Sequence, residues 1–390
     1  MPELSKSISI AGAWGYIGQK FLQAAQSLDW QWYAHDPGPI PHGIDESRCI
    51  ADASEFYALP AGMFHLAMHP EHRRAAMDAL LARNQSEPLL VLCEKPMAEP
   101  EHPEHCAEAC AAVEHSRAVV LYDFPELYDP MFWRIVQFLR SFKHVQIDAI
   151  YLSRCKDRED PGIPRNYKRM VPIQYQETVH CFAFALFLLA QFSESIEEVL
   201  AQGLEIQGRS DEYCPPNPQE YPYAVDGMCE YSGRIGQTTL EGRTDFRSGA
   251  CWQKLRVIRG VADGQRFVIT ADFLEGKKQL WIEGESGPAL TQTNSYEEVL
   301  RTCARWYRDV PAPTLKNGCY PNAPLARIAY QLSSVLWRAC RHGRRTVLRS
   351  LDEVLGFDAR FSEAIPTFPR CRSRGDCPAG RSCGSGTIGT

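Results

Sequence analysis

The sequence contains no apolar run long enough to cross a membrane. Its longest, "VHCFAFALFLLA" (179–190), has twelve residues, where a spanning helix takes about 20. The N-terminus lacks the basic and apolar regions of a signal peptide. Both absences point to a soluble, cytoplasmic protein with no membrane partner. A basic surplus is missing too. The net charge is −6, which argues against a general nucleic-acid-binding surface. Cysteine is plentiful at 15, yet no C-x-x-C pair occurs. That excludes the usual zinc frameworks and leads to an expectation of reduced thiols and no metal site. Internal repeats are also absent.

What is present is an ordinary globular balance, 44% hydrophobic and 23% charged, over 390 residues. That length fits two domains of about 100–200 residues each. Short apolar runs, "SISIA" (7–11), "WQWYAHD" (30–36), "MFHLAM" (63–68), "LLVLCEKP" (89–96) and "AVVLYDF" (118–124), alternate with helical stretches. This alternation predicts a parallel, doubly wound α/β sheet over 1–123. From 124 to 362 the pattern becomes α+β. A long strand, a polar loop (155–170) and an apolar helix (about 174–191) precede successive strands with turn signals at Ser-Gly in "MCEYSGRIGQTTLEG" and at Asp-Gly in "RGVADGQRF". These predict a large, open, mainly antiparallel sheet, closed by two further helices. Residues 363–390 are rich in Arg, Gly and Ser and read as a disordered tail.

The first apolar run leads into "AGAWGYIG". Gly12, Gly15 and Gly18 fit G-x-x-G-x-x-G, and Ala13, Gly15 and Gly18 fit G-x-G-x-x-G with Ala in the first place. Strand, tight glycine turn and helix N-terminus together are what a dinucleotide pyrophosphate needs. Asp36 ends the second strand 18 residues beyond Gly18. An acid at about that distance bonds the adenosine ribose hydroxyls and repels a 2′-phosphate, so the cofactor expected is NAD rather than NADP. The reading is a Rossmann domain. Its candidate cofactor contacts are Gly12, Ala13, Trp14, Gly15, Tyr16, Ile17, Gly18 and Asp36, with Met68 and His69 closing the third strand and Glu94, Lys95 and Pro96 closing the fourth.

"LCEKPMA" (92–98) falls at the carboxyl edge of the fourth strand, where open α/β sheets bind ligands. A Lys there can aim its ammonium into the crevice, and Pro96 fixes the backbone, for which a cis bond is one way. With this motif, the glycine turn, "YDP" (128–130) and "RHGRRTVL", the chain strongly resembles the glucose–fructose oxidoreductase/inositol dehydrogenase (Gfo/Idh/MocA) family over about residues 7–345. The resemblance implies an NAD(H)-dependent oxidoreductase acting on a sugar, cyclitol or related hydroxy/keto compound, and a homo-oligomer, dimer or tetramer. It also implies a catalytic His beside the Lys, in a D-x-G-x-H pattern. The matching stretch is "QETVHCF", giving His180, with Gln176 in place of the Asp and Thr178 in place of the Gly. Glu177 would face about 100° away on an α-helix. Lys95 and His180 are thus the expected acid/base pair, with Tyr175 as a third candidate. Arg154, Arg165, Tyr167, Lys168 and Gln176 are candidate substrate contacts, and their charge suits an anionic substrate. The altered motif keeps two alternatives open, an imine reductase and a non-catalytic dinucleotide-binding regulator.

Overall fold

The computed structural model describes residues 6–83, 89–217, 224–247, 252–283, 289–290 and 293–357. The expected disordered tail falls outside them. Strands β1 (Ser7–Ala11), β2 (Gln31–His35), β3 (Met63–Leu66), β4 (Leu90–Cys93) and β5 (Val119–Tyr122) form a parallel sheet in the order β2-β1-β3-β4-β5. Every residue of β1, β3, β4 and β5 is buried, as expected when helices cover both faces of a parallel sheet. Those helices are α1 (Tyr16–Ser27), α2 (Ala53–Ala58), α3 (Pro70–Leu81) and α4 (Glu104–His115). Pro70 opens α3 with its fixed φ. The short α2 was not foreseen. Asp52 starts it by accepting from the Glu55 amide.

The second part begins with α5 (Pro130–Arg140) and β6 (Val145–Cys155), followed by α6 (Val179–Ala190) and α7 (Ile196–Ala201). Next come β7 (Leu204–Tyr213), β8 (Val225–Ile235), β9 (Thr238–Asp245), β10 (Gln253–Ala262), β11 (Gln265–Asp272), β12 (Gln279–Ile282) and β13 (Ala289–Leu290). The chain closes with α8 (Ser295–Asp309), α9 (Ala312–Asn317), α10 (Ala323–His342), β14 (Thr346–Leu348) and α11 (Leu351–Leu355). The large sheet runs β13-β12-β11-β10-β6-β9-β8-β7-β14 and is antiparallel except where β6 meets β9. Fold class and topology are as expected.

One turn differs. The β8–β9 bend is at Gly236, not at Ser232-Gly233, because Ile235 pairs with Thr238 and Gly236 supplies the positive φ of +57° that a two-residue hairpin turn needs. Gly233 lies within β8, where any Cβ would meet the Glu205 carbonyl. The Asp263-Gly264 turn is where the sequence put it. The uniform reduced-thiol expectation also needs correction, since Cys214 is disulfide-bonded. Helix α6 is buried along its whole length, and α10 packs against both α6 and β7 and against α4 of the first part. The two sheets therefore meet over one continuous buried cluster. Among the described residues no helix is long and apolar enough to cross a membrane.

Candidate functional site

The glycine turn has the shape its sequence asks for. Gly12 adopts φ +77°, and a Cβ there would press on the Ala67 and Met68 backbone. Gly18 allows no Cβ at all, with the Gly12 carbonyl 2.2 Å from where it would stand. This close packing brings α1 onto β1 and leaves Gly15 as its N-cap, the end that attracts anions. Ala13 is buried, Ile17 half-buried and Tyr16 45% exposed. Asp36 stands beside this turn, and its carboxylate accepts from the amides of Trp14 at 3.0 Å and Gly38 at 2.8 Å. A carboxylate that orders the glycine loop and keeps remaining lone pairs is well placed for ribose hydroxyls. Met68 and His69 lie where β3 gives way to α3, with His69 as the helix N-cap.

The Glu94-Lys95-Pro96 turn is held from below. The Lys95–Pro96 bond is cis. Arg73 of α3, a buried cation that sequence reasoning passed over, donates to the Glu94 carbonyl and, at 2.6 Å, to that of Pro96. Glu94 is buried and bonded to His65 at 3.2 Å. Burial raises its pKa, but the His65 bond and charge, a bond from Asp123 and the Lys95 charge bring it below the ordinary range. Asp123 is pushed well up, first by burial and then by the Glu94 charge and hydrogen bond. Of the two carboxyls, Asp123 is the one its surroundings dispose to hold a proton.

Lys95 turns the other way. Its ammonium donates to the carbonyl of Gln176 at 2.9 Å. Burial lowers its pKa, while the Glu177 and Glu94 charges oppose that shift. The segment Gln174–Thr178 is a π-helical turn leading into α6, and such turns often mark functional sites. It presents the Gln176 backbone to Lys95 and sends the Gln176 side chain toward Met170, at 3.9 Å. It also carries Glu177, 1% exposed, into the crevice. Glu177 meets Arg154 at 2.5 Å, Lys156 at 2.9 Å and Arg158 at 3.7 Å. Burial raises its pKa, but these cations hold it well below the ordinary carboxylate range. The expectation that Glu177 faces away is thus wrong, because it assumed an unbroken α-helical turn.

His180 is 4% exposed, and neither ring nitrogen has a hydrogen-bond partner. Its ring meets Phe124 edge-on at 5.7 Å. Burial, then the positive charges of Arg154 and Lys95, depress its pKa well below the usual value, so the imidazole is neutral. Lys95, past the carboxyl end of β4, and His180, in the first turn of α6, share one electrostatic neighbourhood. Tyr175 does not. Its hydroxyl donates to Ser334 at 3.1 Å within the core, and its ring packs on Tyr330. It is a core residue, and the expected catalytic role is corrected on that ground.

The loop from β6 to α6 overhangs the glycine turn. Arg165 donates to the Tyr16 hydroxyl at 3.1 Å and lies between the rings of Tyr16 and Trp252, 5.0 Å from each. Lys168 is half-buried, and burial followed by the charges of Arg158 and Lys95 lowers its pKa to about 7. The surrounding protein and then the Lys168 charge push His69 down in turn. Tyr167 points outward, 45% exposed. Arg154 is buried between Glu177 and Glu126. A surface hollow of about 410 Å³, lined by Glu205, Gln207 and Arg345, gathers none of these groups. His102, Glu104 and His105 bring their ligand atoms within 4.8 Å of one another.

The chain has the fold of the myo-inositol dehydrogenases. It is similar to one from Corynebacterium glutamicum at 15% identity, covering 88% of this chain and 98% of that one with a TM-score of 0.60. It is similar to an oxidoreductase from Agrobacterium radiobacter, solved with NAD+, L-tartaric acid and magnesium, at 13% identity (88% and 98% covered, TM-score 0.64). It is also similar to a super-repressor mutant of Gal80p from Saccharomyces cerevisiae at 9% identity (90% and 99% covered, TM-score 0.67). No family model and no curated protein matches the sequence.

Proposed function

We propose that the chain is an NAD(H)-dependent oxidoreductase of the Gfo/Idh/MocA type, acting on a small hydroxy or keto compound. The observations that support this reading are a glycine turn fitted for a dinucleotide and, at the carboxyl edge of the parallel sheet, a Lys95 whose charge bears on the His180 ring. Gly12, Gly15, Gly18 and the N-terminus of α1 would hold the pyrophosphate, and Asp36 the adenosine ribose. When bound, the nicotinamide supplies or accepts the hydride. The protein manages the proton. In the oxidation direction the neutral His180 takes the hydroxyl proton on an unpartnered nitrogen, its lowered pKa keeping the ring deprotonated at neutral pH. Lys95 bonds the same oxygen and stabilises the charge that develops on it. An oxidoreductase of the same fold was solved with NAD+ and L-tartaric acid, which supports NAD as the cofactor.

A regulatory reading stays in view because a Gal80p variant shares the fold. Two measurements separate the readings. NADH binding by fluorescence should exceed NADPH binding by at least about tenfold, or ~1.4 kcal/mol. Turnover with NAD+ against sugars, cyclitols, hydroxy acids and cyclic imines should find a substrate among the hydroxy compounds. Tight NADH binding without turnover on any of these would favour the regulator.

A further inference from the structure

We infer that Lys156, Arg158 and Lys168 form a built oxyanion subsite that holds a carboxylate or phosphate group of the substrate beside Lys95 and His180. This rests on the functional reading above and adds the substrate's charge to it.

Glu177 is the one carboxylate among the described residues that pairs with Lys156 and Arg158, and Arg154 takes its closer share. Arg154 and Arg256 also occupy Glu126. Lys168 makes no ion pair among the described residues, and its charged form is disfavoured by burial and then by Arg158 and Lys95. Burying cations in excess of carboxylates is costly unless an anion completes the set.

Arg158 gives the second, independent observation. It is 5% exposed. Its contacts are long, 3.4 Å to Asn166 and 3.7 Å to Glu177, and its Nε has no hydrogen-bond partner. A buried guanidinium with a free N–H edge is suited to a planar or tetrahedral oxyanion. The ring nitrogens of His180 are unpartnered in the same crevice.

The loop that carries these groups is fixed in place. Asp157 accepts from the amides of Glu159 and Asp160, Asn166 donates to the Asp160 carbonyl at 2.8 Å, and Arg165 is clasped between Tyr16 and Trp252. The subsite is therefore set before any ligand arrives, which lowers the ordering cost of binding. The same loop reaches the glycine turn through Arg165, which donates to the Tyr16 hydroxyl at 3.1 Å.

The test is calorimetric titration of the full chain saturated with NAD+, using D-gluconate, D-glucose 6-phosphate, D-glucose and myo-inositol. At least one anion should bind tenfold or more tighter than D-glucose, and the preference between gluconate and the phosphate ester identifies which oxyanion the substrate carries. Lys168→Met should erase at least tenfold of that advantage and leave NADH affinity unchanged, and Lys168→Arg should restore most of it. Arg158→Met should act in the same direction. Equal binding of D-glucose and both anions overturns the inference. So does an equal loss of NADH and anion affinity in Lys168→Met, which would give these cations to the cofactor. If the wild type binds no NADH, the functional reading falls, and the same titrations without cofactor decide the subsite alone.

Discussion

On one side of Lys95 lie Glu94, Asp123 and His65; on the other lie Arg154, Lys156, Arg158 and Lys168 around Glu177. The first cluster is fully buried and the second, with Lys156 and Lys168 only partly so, solves the opposite problem. The first has too many carboxyls for its cations and settles by keeping a proton on Asp123. The second has too many cations for its carboxylates. It settles by lowering the pKa of Lys156 through burial and of Lys168 through burial and like charge, with Glu177 fully ionised. A cluster that can take up a proton is complete in itself, whereas one short of negative charge is ready for an anionic ligand. Lys95, at the boundary, is steadied by Glu94 behind it and Glu177 ahead.

The sharpest way to break this picture is Lys95→Met, which keeps most of the stem and removes the charge. NADH binding should stay near wild type while turnover falls by roughly 10²–10⁴, the scale for losing a positioned acid or base. Full activity on the true substrate would make the lysine structural, and the boundary between the clusters would have no chemical meaning.

Glu177→Gln probes the cation-rich side. It leaves three buried cations without their shared carboxylate and should cost about 3–5 kcal/mol in urea unfolding at pH 7. Because the folded pKa of Glu177 lies below its unfolded value, this contribution is present above about pH 4.5. It is lost as pH falls further, so the gap to wild type should close in acid. A loss under about 1 kcal/mol at pH 7 would show that the cations find other partners.

How far the sequence revealed these clusters depends on how local each signal is. The five parallel strands, the Gly12–Gly18 turn, Asp36 and the Glu94-Lys95-Pro96 edge were all legible, because period, glycine spacing and strand ends are properties of short segments. Two features were not. Glu177 is placed by assuming 100° per residue, Tyr175 is set in the pocket as if on the same regular helix, and the π-helical turn rotates that frame. As a result Tyr175 faces Ser334 and Glu177 faces the cations. Arg73 was invisible for another reason. It sits on an amphipathic helix where an Arg ordinarily meets water, and only the fold places the Glu94-Lys95-Pro96 carbonyls above it.

A subtler effect sharpens the contrast through pH. Lys168 titrates at about 7 and faces Arg158, Lys95, Arg165, Glu177 and, across the crevice, His69. His69 and His180 are both pushed below their usual value, by burial first and then by neighbouring positive charge. Lys168 is charged below pH 7 and loses its proton above it, so KM for an anionic substrate should rise several-fold between pH 6 and 8.5. Lys168→Met should flatten that profile, and KM for a neutral substrate should not follow it. An unchanged profile in the variant would assign the titration to another group.

The smallest effect belongs to the acid-rich side and tests its neutrality directly. Asp123 carries a proton, so Asp123→Asn exchanges one neutral donor for another, and its amide can still donate to Glu94. The stability cost should be at most about 1 kcal/mol at pH 5, the size of one ordinary hydrogen bond. The sign of the pH dependence then opposes that of Glu177. A carboxyl whose folded pKa is raised stabilises the fold below its unfolded value, and that support fades as pH climbs toward the folded one. Wild type should therefore lose stability between pH 5 and 8 relative to the Asn variant, narrowing or reversing the deficit in paired urea melts. A variant that loses several kcal/mol at pH 7, as Glu177→Gln should, would mean that Asp123 is ionised, and the two sides of Lys95 would then be alike.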